Sequence, residues 1–474
     1  MQRLKKIGTI TPKHSKDIAH SRLGIGFEKL DRDAFDPEKA YDKIAALGVK
    51  WARIQSGWQK TEKERGVYDF AWLDAIVDNL ISRGLIPWMC LCYGNELYTP
   101  EAAEVFGAVG CPPIHTEEER QAWHSYVKAC AAHYKGRIEY FEVWNEPDGG
   151  WCWKYGPNPV ELGEFTVATA KAVKEGNPDA KVIGGSVCSK NLCYVQQALD
   201  TGMGEAVDAF TFHEYTPNET SIPETVAAYG ALCRKYNPNI EIIQGESGSQ
   251  SKSGGHGALW SQGWNEDKQA RQLARHTMID LTTPVKFTSY FSCMDMIEAL
   301  NGKKGDKQSW LDFGYFGVLG AQFDENGFPI GTYEPKPSYR ALQTIASIFA
   351  EDFEVCDLPI FTWRFNSPWI GGIDCQEASM ISCGFRKPNG SEAYVYWNST
   401  NLHTTRFEST ASYQIANDHC DDIKLVNLLD GSVYEIGPDI LERTSDKSVT
   451  LKNVPITDYP LLITFGDFIE FERL

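Results

Sequence analysis

Short apolar runs alternate with helical patterns through about the first 350 residues of this chain. Eight of these runs have the β-branched and aromatic content of buried strands, and amphipathic stretches with helix-start and helix-stop residues follow them. The predicted strands cover residues 23–27, 49–54, 85–91, 138–143, 181–187, 207–213, 240–244 and 286–292. Eight strands that alternate with helices are the count of a (β/α)₈ TIM barrel, so the pattern predicts an α/β fold of that kind.

An open doubly wound sheet is the alternative arrangement for such an alternation. That fold holds a phosphate at a glycine-rich turn, which carries three spaced glycines after an early strand and opens a helix. Here Gly24 and Gly26 lack the third glycine and the helix directly behind it. The barrel is therefore the favoured fold for residues 18–350, and a helix over residues 336–349 completes it.

The pattern of the chain changes after residue 351. Short apolar runs now alternate with turn signals such as Asp430-Gly431, which is typical of an all-β sandwich. The clearest runs cover residues 393–397, 423–426 and 461–465. We therefore predict a second, smaller C-terminal domain over residues 351–474, and we expect residues 1–17 to join it.

The composition supports two hydrophobic cores and limits the class of partner. Of the 474 residues, 42% are hydrophobic and 12% are aromatic, which is enough apolar material for one large and one smaller domain. The chain has 46 lysines and arginines against 64 acidic residues, a net charge of −18. This charge disfavours nucleic acid and anionic membranes as partners.

The first residues and the cysteines point to a reducing compartment. The basic segment 1–6 is not followed by the apolar stretch of a signal peptide, and the longest apolar run, residues 85–93, is too short to span a bilayer. The 13 cysteines are scattered without metal-ligand spacing. Cys90 and Cys92 share one face of a predicted strand and could not easily form a disulfide. We expect a cytoplasmic protein.

The strongest functional signal is the stretch of residues 138–148, which contains Trp144-Asn145-Glu146-Pro147. Its first half alternates as a buried strand does, and Pro147 ends the strand because proline cannot donate to a sheet ladder. Glu146 is therefore expected at the carboxyl end of the strand, beside an amide and a tryptophan. A carboxylic acid in such surroundings can stay protonated near neutral pH, as a general acid must.

A second glutamate ends the seventh predicted strand. In a barrel of this type the carboxyl ends of the strands meet at the functional face, so Glu246 and Glu146 are expected to share one mouth. Two such carboxyl groups, roughly 5 Å apart, are the acid and the nucleophile of a retaining glycosidase. The polar residues at the predicted strand ends are Glu28, Arg53, Asn95, Asn145, Glu146, His213, Tyr215, Glu246, Asp295 and Glu298.

These motifs together resemble the retaining glycoside hydrolases of clan A, and most of all family 39, whose members include β-xylosidases and α-L-iduronidases. The resemblance covers most of residues 20–350. It rests on residues 142–147, 211–215, 245–246 and 295–298.

The resemblance implies a role for several of these residues. Glu146 would be the acid/base and Glu246 the nucleophile. Asn145 would hydrogen-bond the sugar 2-hydroxyl, and His213 and Tyr215 would line the site around Glu246.

Five more residues are candidates for substrate binding. Arg53 can orient Glu246 through a charge-assisted hydrogen bond, although a structural ion pair is the alternative. Trp151 follows the acid and can stack on a sugar, although packing under its loop is the alternative. The remaining three are Glu28, Asp295 and Glu298.

The chain is therefore predicted to be a glycosidase that hydrolyses O-glycosyl bonds by double displacement. We expect exo action on β-linked glycosides or short oligosaccharides, as a β-xylosidase or β-glucosidase has. An endo-β-glycanase, an α-L-iduronidase-like hydrolase and a non-catalytic sugar-binding barrel are the alternatives; an aromatic-lined groove would indicate the first, and turnover of an aryl glycoside would exclude the last. No metal or organic cofactor is expected. The expected partner is a carbohydrate, and a homo-oligomer is compatible with the sequence.

Overall fold

The computed structural model describes residues 4–365, 380–445 and 447–474. Eight parallel strands, β1 to β8, close into a barrel in chain order, and β1 pairs with β8. The fold class predicted from the alternation is thus confirmed. The strands are Leu23–Gly26, Trp51–Gln55, Ile86–Leu91, Tyr140–Val143, Lys181–Val187, Ala209–Glu214, Glu241–Ser247 and Thr288–Tyr290.

Helices between the strands form the outer layer of the barrel. A capping box of Thr116 and Glu119, with both reciprocal hydrogen bonds, opens the helix Glu117–His133. The α-helices are Tyr41–Ala45, Trp58–Thr61, Ala71–Ser82, Glu117–His133, Pro159–Gly176, Leu192–Ala198, Gly204–Ala206, Ile222–Cys233, Glu266–Leu281 and Pro337–Ile348. A π-helical turn, Leu199–Met203, joins two of them.

The first crossover is shorter than its sequence pattern indicates. Asp36 accepts a hydrogen bond from the amide of Glu38 at 3.1 Å, as a helix N-cap residue does. It opens only a 3₁₀ turn, Pro37–Lys39, before the five-residue helix Tyr41–Ala45.

Aromatic and aliphatic side chains fill the lower part of the barrel. Trp51 stacks on Phe287 with ring centroids 4.2 Å apart, and Trp88 and Tyr140 contact the same ring. These residues belong to a cluster that is separate from the main core. Because the lower interior is packed, only the upper mouth of the barrel is open to a ligand.

Two small hairpins lie between β8 and the last helix. One pairs Met296–Ile297 with Phe313–Gly314, and the other pairs Leu319–Phe323 with Pro329–Pro335. They extend the wall of the barrel mouth beyond the short strand β8.

The C-terminal domain consists of two antiparallel sheets that share a core, in which the rings of Tyr396 and Tyr413 lie 5.1 Å apart. The larger sheet also contains the N-terminal strand Lys5–Ile10, which pairs with Ser432–Glu435 and Phe471–Arg473. Its other strands are Glu354–Cys356, Met380–Arg386, Glu392–Asn398, Ile423–Asn427 and Leu461–Phe465. The smaller sheet comprises Ile360–Phe365, Glu408–Ala416, Leu441–Ser445 and Ser448–Thr457.

The helix Glu266–Leu281 packs against both domains. Arg271 forms a buried ion pair with Asp458 at 2.5 Å, and Arg275 donates to Thr400 at 3.0 Å. Among the described parts of the chain, none of the helices has the length and apolar character needed to cross a bilayer.

Candidate active site

A charged layer lies directly above the aromatic residues inside the barrel. Side chains two positions apart on a strand point to the same side. Arg53 therefore follows Trp51 into the barrel, and Glu142 follows Tyr140. Both charged side chains are fully buried, and two hydrogen bonds of 2.7 and 2.9 Å join them.

Arg53 connects most of the polar residues of the site. Its guanidinium donates to Glu28 at 3.1 Å, to Asn145 at 2.9 Å and to Glu246. A planar guanidinium with five N–H donors is suited to holding several oxygen acceptors in fixed directions. The predicted contact between Arg53 and Glu246 is thus present in the structure.

Glu146 and Glu246 face each other across the barrel mouth, with His213 between them. One oxygen of each carboxyl group and one ring nitrogen of His213 all lie within 4.8 Å of one another. His213 Nδ1 is 3.0 Å from Glu146 Oε1 and 3.5 Å from Glu246 Oε2. An oxygen of Glu146 thus lies within 4.8 Å of an oxygen of Glu246, which is compatible with the separation of roughly 5 Å in retaining glycosidases.

The charges around Glu246 favour its ionised form. Burial alone would raise the pKa of Glu246, but the positive charges of His213 and Arg53 outweigh burial and lower it. The hydroxyl of Tyr215 donates to Glu246 Oε2 at 2.6 Å and adds to this effect. An ionised carboxylate in this position can attack an electrophilic carbon.

His213 is held in its charged form by the same neighbours. Burial alone would lower the pKa of His213, but the charge of Glu246 and contacts with Glu142 and Glu146 raise it to about 10. The imidazolium therefore donates to Glu146 Oε1, and its positive charge offsets the negative charge of Glu246.

The backbone turns sharply where β4 ends. Trp144 and Glu146 both have positive φ, at 66° and 44°, a region that non-glycine residues adopt at a cost of about 1–3 kcal/mol. Such strain persists where the surroundings require a particular side-chain direction. Here it aims Glu146 at the barrel mouth.

A cavity of about 600 Å³ opens above the two glutamates. Trp151 lies at its rim with 39% of its surface exposed, and its indole N–H donates to Glu146 Oε2 at 2.5 Å. Of the residues predicted for the site, those that line the cavity are Glu28, Asn145, Glu146, Trp151, Tyr215, Glu246 and Glu298.

Two buried glutamates that line the cavity each have one oxygen without a hydrogen-bond partner in the described part of the chain. Glu28 Oε1 and Glu298 Oε1 have no hydrogen-bond partner among the residues that the structure describes. Burial raises the pKa of Glu28 to about 8, although Arg53 opposes the shift. Because a buried polar atom without a partner is costly, these two carboxyl groups are candidates to bond hydroxyl groups of a ligand.

Asp295 and His213 stand apart from the walls of the cavity. Asp295 accepts from Lys336 at 2.6 Å and from the amide of Gly317 at 2.9 Å, so both contacts are structural. His213 and Arg53 lie behind the carboxyl groups of the two facing glutamates and do not line the cavity. His213 contacts both carboxyl groups, and Arg53 contacts that of Glu246. The structure thus gathers the predicted residues around one centre except for Asp295 and Asn95, whose side chain bonds the backbone of Glu62 and Leu97.

Glu142 and Lys29 belong to the site but are not among the residues that the sequence predicts. Glu142 lies in the motif of residues 142–147, which contains Glu146, but the motif predicts no role for it. Because its side chain points into the barrel on the same face as Tyr140, a buried partner such as Arg53 is expected. Lys29 follows Glu28 and pairs with Glu298 at 3.1 Å. Its proximity to Glu298 depends on the loop after β8, which the sequence pattern does not define.

Comparison with known proteins agrees with this geometry. The sequence model described as Glycosyl hydrolases family 39 matches residues 34–228, which include Glu146 and His213. A β-xylosidase from Caldicellulosiruptor saccharolyticus is 24% identical over 345 residues, or 65% of this chain. The match covers 64% of the length of that β-xylosidase.

Solved structures of similar fold include glycoside hydrolases. A family 39 glycoside hydrolase from Bacteroides cellulosilyticus WH2 has a TM-score of 0.64 at 16% identity, over 94% of this chain and 81% of that one. A β-xylosidase from Caulobacter crescentus has a TM-score of 0.59 at 16% identity, over 96% and 97% of the two chains. At this identity the likeness establishes the fold.

Proposed function

Since this chain is a relative of the family 39 glycosyl hydrolases, we propose that it is a retaining glycosidase with Glu246 as nucleophile and Glu146 as acid/base. The observation that carries the proposal is the close approach of these two carboxyl groups at the mouth of the barrel, within 4.8 Å. An inverting enzyme needs roughly 6.5–9.5 Å between its carboxyl groups to admit a water molecule.

The reaction proceeds in two displacements. Glu146 gives a proton to the glycosidic oxygen while Glu246 attacks the anomeric carbon, so the leaving group departs and a glycosyl ester forms. Glu146 then takes a proton from water, and the oxygen of that water displaces Glu246 from the same carbon. Two inversions give a sugar of retained configuration.

The neighbours of the two glutamates support these roles. Arg53 and Tyr215 fix the two oxygens of Glu246 and help to keep it ionised. His213 contacts both glutamates, so its positive charge can compensate as negative charge moves between them. Asn145, held by Arg53, lies beside Glu146 and is suited to bind a hydroxyl next to the reacting carbon.

A β-linked glycoside or short oligosaccharide, cleaved from its end, is the substrate class that the pocket fits best. A cavity of about 600 Å³ has the volume of a small-ligand site. The cations on its walls are already paired, Lys29 with Glu298 and Arg32 with Asp31, both at 3.1 Å. This pairing argues against the α-L-iduronidase-like alternative, whose sugar carries a carboxylate.

We further propose that the enzyme acts in the cytoplasm on small imported substrates. All the cysteines within the described ranges are free thiols, which suits a reducing compartment. A homo-oligomer remains compatible with the chain. Fractionation of the native cells would test the location, and sedimentation would determine the oligomeric state.

The product configuration tests the proposed function. The chain is incubated with a panel of aryl β-glycosides, starting with the xyloside and the glucoside, and the first-formed anomer is read by proton NMR before mutarotation. We expect the β-anomer. An α-anomer would exclude double displacement, and no turnover with any glycoside would favour the non-catalytic sugar-binding alternative.

A further inference from the structure

The loop that follows β7 forms one wall of the active-site cavity. This segment, residues 248–265, is named the β7 loop below. Trp260 of this loop is 65% exposed, whereas Glu28 and Glu298 on the same cavity are 2% and 6% exposed. The indole therefore lies at the open end of the cavity, and the two glutamates line its deep end.

The leaving group of the substrate must lie towards that open end. Glu146 protonates the glycosidic oxygen, and its Oε2 is in contact with the half-exposed indole of Trp151. The sugar that is cleaved off occupies the buried part of the cavity, which Glu28 and Glu298 line. A large exposed aromatic ring at the mouth offers an apolar face with a polar edge, as a sugar or aryl ring requires.

The backbone before Trp260 is fixed from within the β7 loop. Leu259 has a φ of 59°, an unfavourable region for a leucine. Its carbonyl accepts the indole N–H of Trp264 at 2.9 Å. Trp264 is only 4% exposed, so this hydrogen bond is protected from solvent and holds the turn that presents Trp260.

The C-terminal domain holds Trp264 in turn. The imidazole of His403 meets the ring of Trp264 edge to face, with centroids 4.6 Å apart and an angle of 86°. Its Nδ1 also donates to the carbonyl oxygen of Gly263 at 3.4 Å. A residue of the second domain thus contacts the end of the loop that carries Trp260.

We propose that Trp260 is the binding surface for the leaving group and that His403 is a positioning residue, which acts on it through Trp264. This inference rests on the proposed function and assigns the C-terminal domain a part in leaving-group specificity. The leaving groups that suit an exposed indole are a second sugar or an aryl ring.

Two substrates with the same glycone separate this role from a structural one. The first is a β-disaccharide of the sugar that the wild-type chain accepts, and the second is the corresponding glycosyl fluoride, whose leaving group is a single atom. The variants are Trp260→Ala, His403→Ala and His403→Asn, since an asparagine amide can replace the Nδ1 donor. Phe361→Ala removes an aromatic ring that is 66% exposed on the C-terminal domain and serves as the control.

We expect Trp260→Ala and His403→Ala to raise KM for the disaccharide roughly tenfold while kcat/KM for the fluoride stays within about twofold. His403→Asn should recover part of the loss, and Phe361→Ala should match the wild type. Equal losses on both substrates, or no loss on the disaccharide, would overturn the inference while the proposed function stands. A wild-type chain that hydrolyses neither substrate would refute both.

Discussion

Arg53 is the single residue on which the geometry of the site depends most. It bonds Glu28, Glu142, Asn145 and Glu246 from one buried guanidinium. Lysine retains the charge but cannot reach several acceptors at once. We therefore expect Arg53→Lys to lower kcat/KM by about 100-fold or more, which is about 2.7 kcal/mol of barrier.

The same substitution should also destabilise the fold. Breaking a buried ion pair costs about 3–5 kcal/mol, whereas an exposed pair contributes about 0–1 kcal/mol. Arg65→Lys, which alters the exposed pair with Glu118, is the matched control. Urea unfolding and steady-state kinetics measure both effects. If the two variants behave alike, Arg53 is not the organising charge.

His213 makes the stability of the protein depend on pH. Its folded pKa of about 10 exceeds the ordinary value of 6.5, so the folded protein holds this proton more tightly than the unfolded chain does. The resulting stabilisation is complete below pH 6.5 and disappears as the pH rises through about 10.

The difference between the wild type and His213→Gln isolates this contribution. We expect the wild type to have the larger free energy of unfolding at pH 6.5 and the gap to narrow steadily towards pH 10. Urea titrations at several pH values across this range measure the difference in the free energy of unfolding. A gap that stays constant with pH would mean that His213 is not held in its charged form.

The sequence alone predicts the two facing glutamates and the contact of Arg53 with Glu246, but not the pairing of Arg53 with Glu142. Glu146 and Glu246 each end a clear β-run, so the barrel rule places both at one mouth. The pairing of Arg53 with Glu142 requires knowledge of which strand face points inward. The structural role of Asp295 cannot be predicted in this way, because its partner Lys336 is 41 residues away along the chain.

At the scale of elements, the helix Glu266–Leu281 joins the barrel to the C-terminal domain. Arg271 and Asp458 are 3% and 0% exposed and form an ion pair across the boundary. Truncating Arg271 leaves the charge of Asp458 buried without a partner. We expect Arg271→Ala to destabilise the protein by about 3–5 kcal/mol.

Arg406 provides the control for this prediction, since it contacts the same helix at Asp267 from an exposed position. Arg406→Ala should change the free energy of unfolding by about 1 kcal/mol or less. Calorimetry measures the free energy of unfolding of both variants. Equal effects would show that the buried pair does not hold the domains together.

Helices and strands with strong local signals can be predicted from the sequence, whereas those that depend on distant contacts cannot. The capping box of Glu117–His133 is encoded within four residues, and the structure contains it. Strand β8 spans only Thr288–Tyr290, because the chain leaves the barrel early to form the hairpins after it. The pairing of Met296–Ile297 with Phe313–Gly314 depends on a loop whose sequence carries no periodic signal.

At the scale of the whole molecule, the two domains share one continuous core. The main hydrophobic cluster contains barrel residues such as Phe349 together with Phe385 and Trp397 of the C-terminal domain. The N-terminal strand Lys5–Ile10 closes this arrangement by pairing within the C-terminal sheet. The change in sequence pattern near residue 351 signals two domains, but their mutual packing is a tertiary property that no local pattern encodes.

The configuration of the glycosyl azide formed by two variants tests the central claim most directly. Glu246→Ala removes the nucleophile, so azide should attack the substrate directly and give a product of inverted configuration. Glu146→Ala should still form the covalent intermediate from an activated aryl glycoside, and azide should then give a product of retained configuration. Glu28→Ala, which removes a third carboxyl group from the pocket, should form no azide product. An exchanged pattern would reverse the two roles, and the absence of azide products from both glutamate variants would contradict the account.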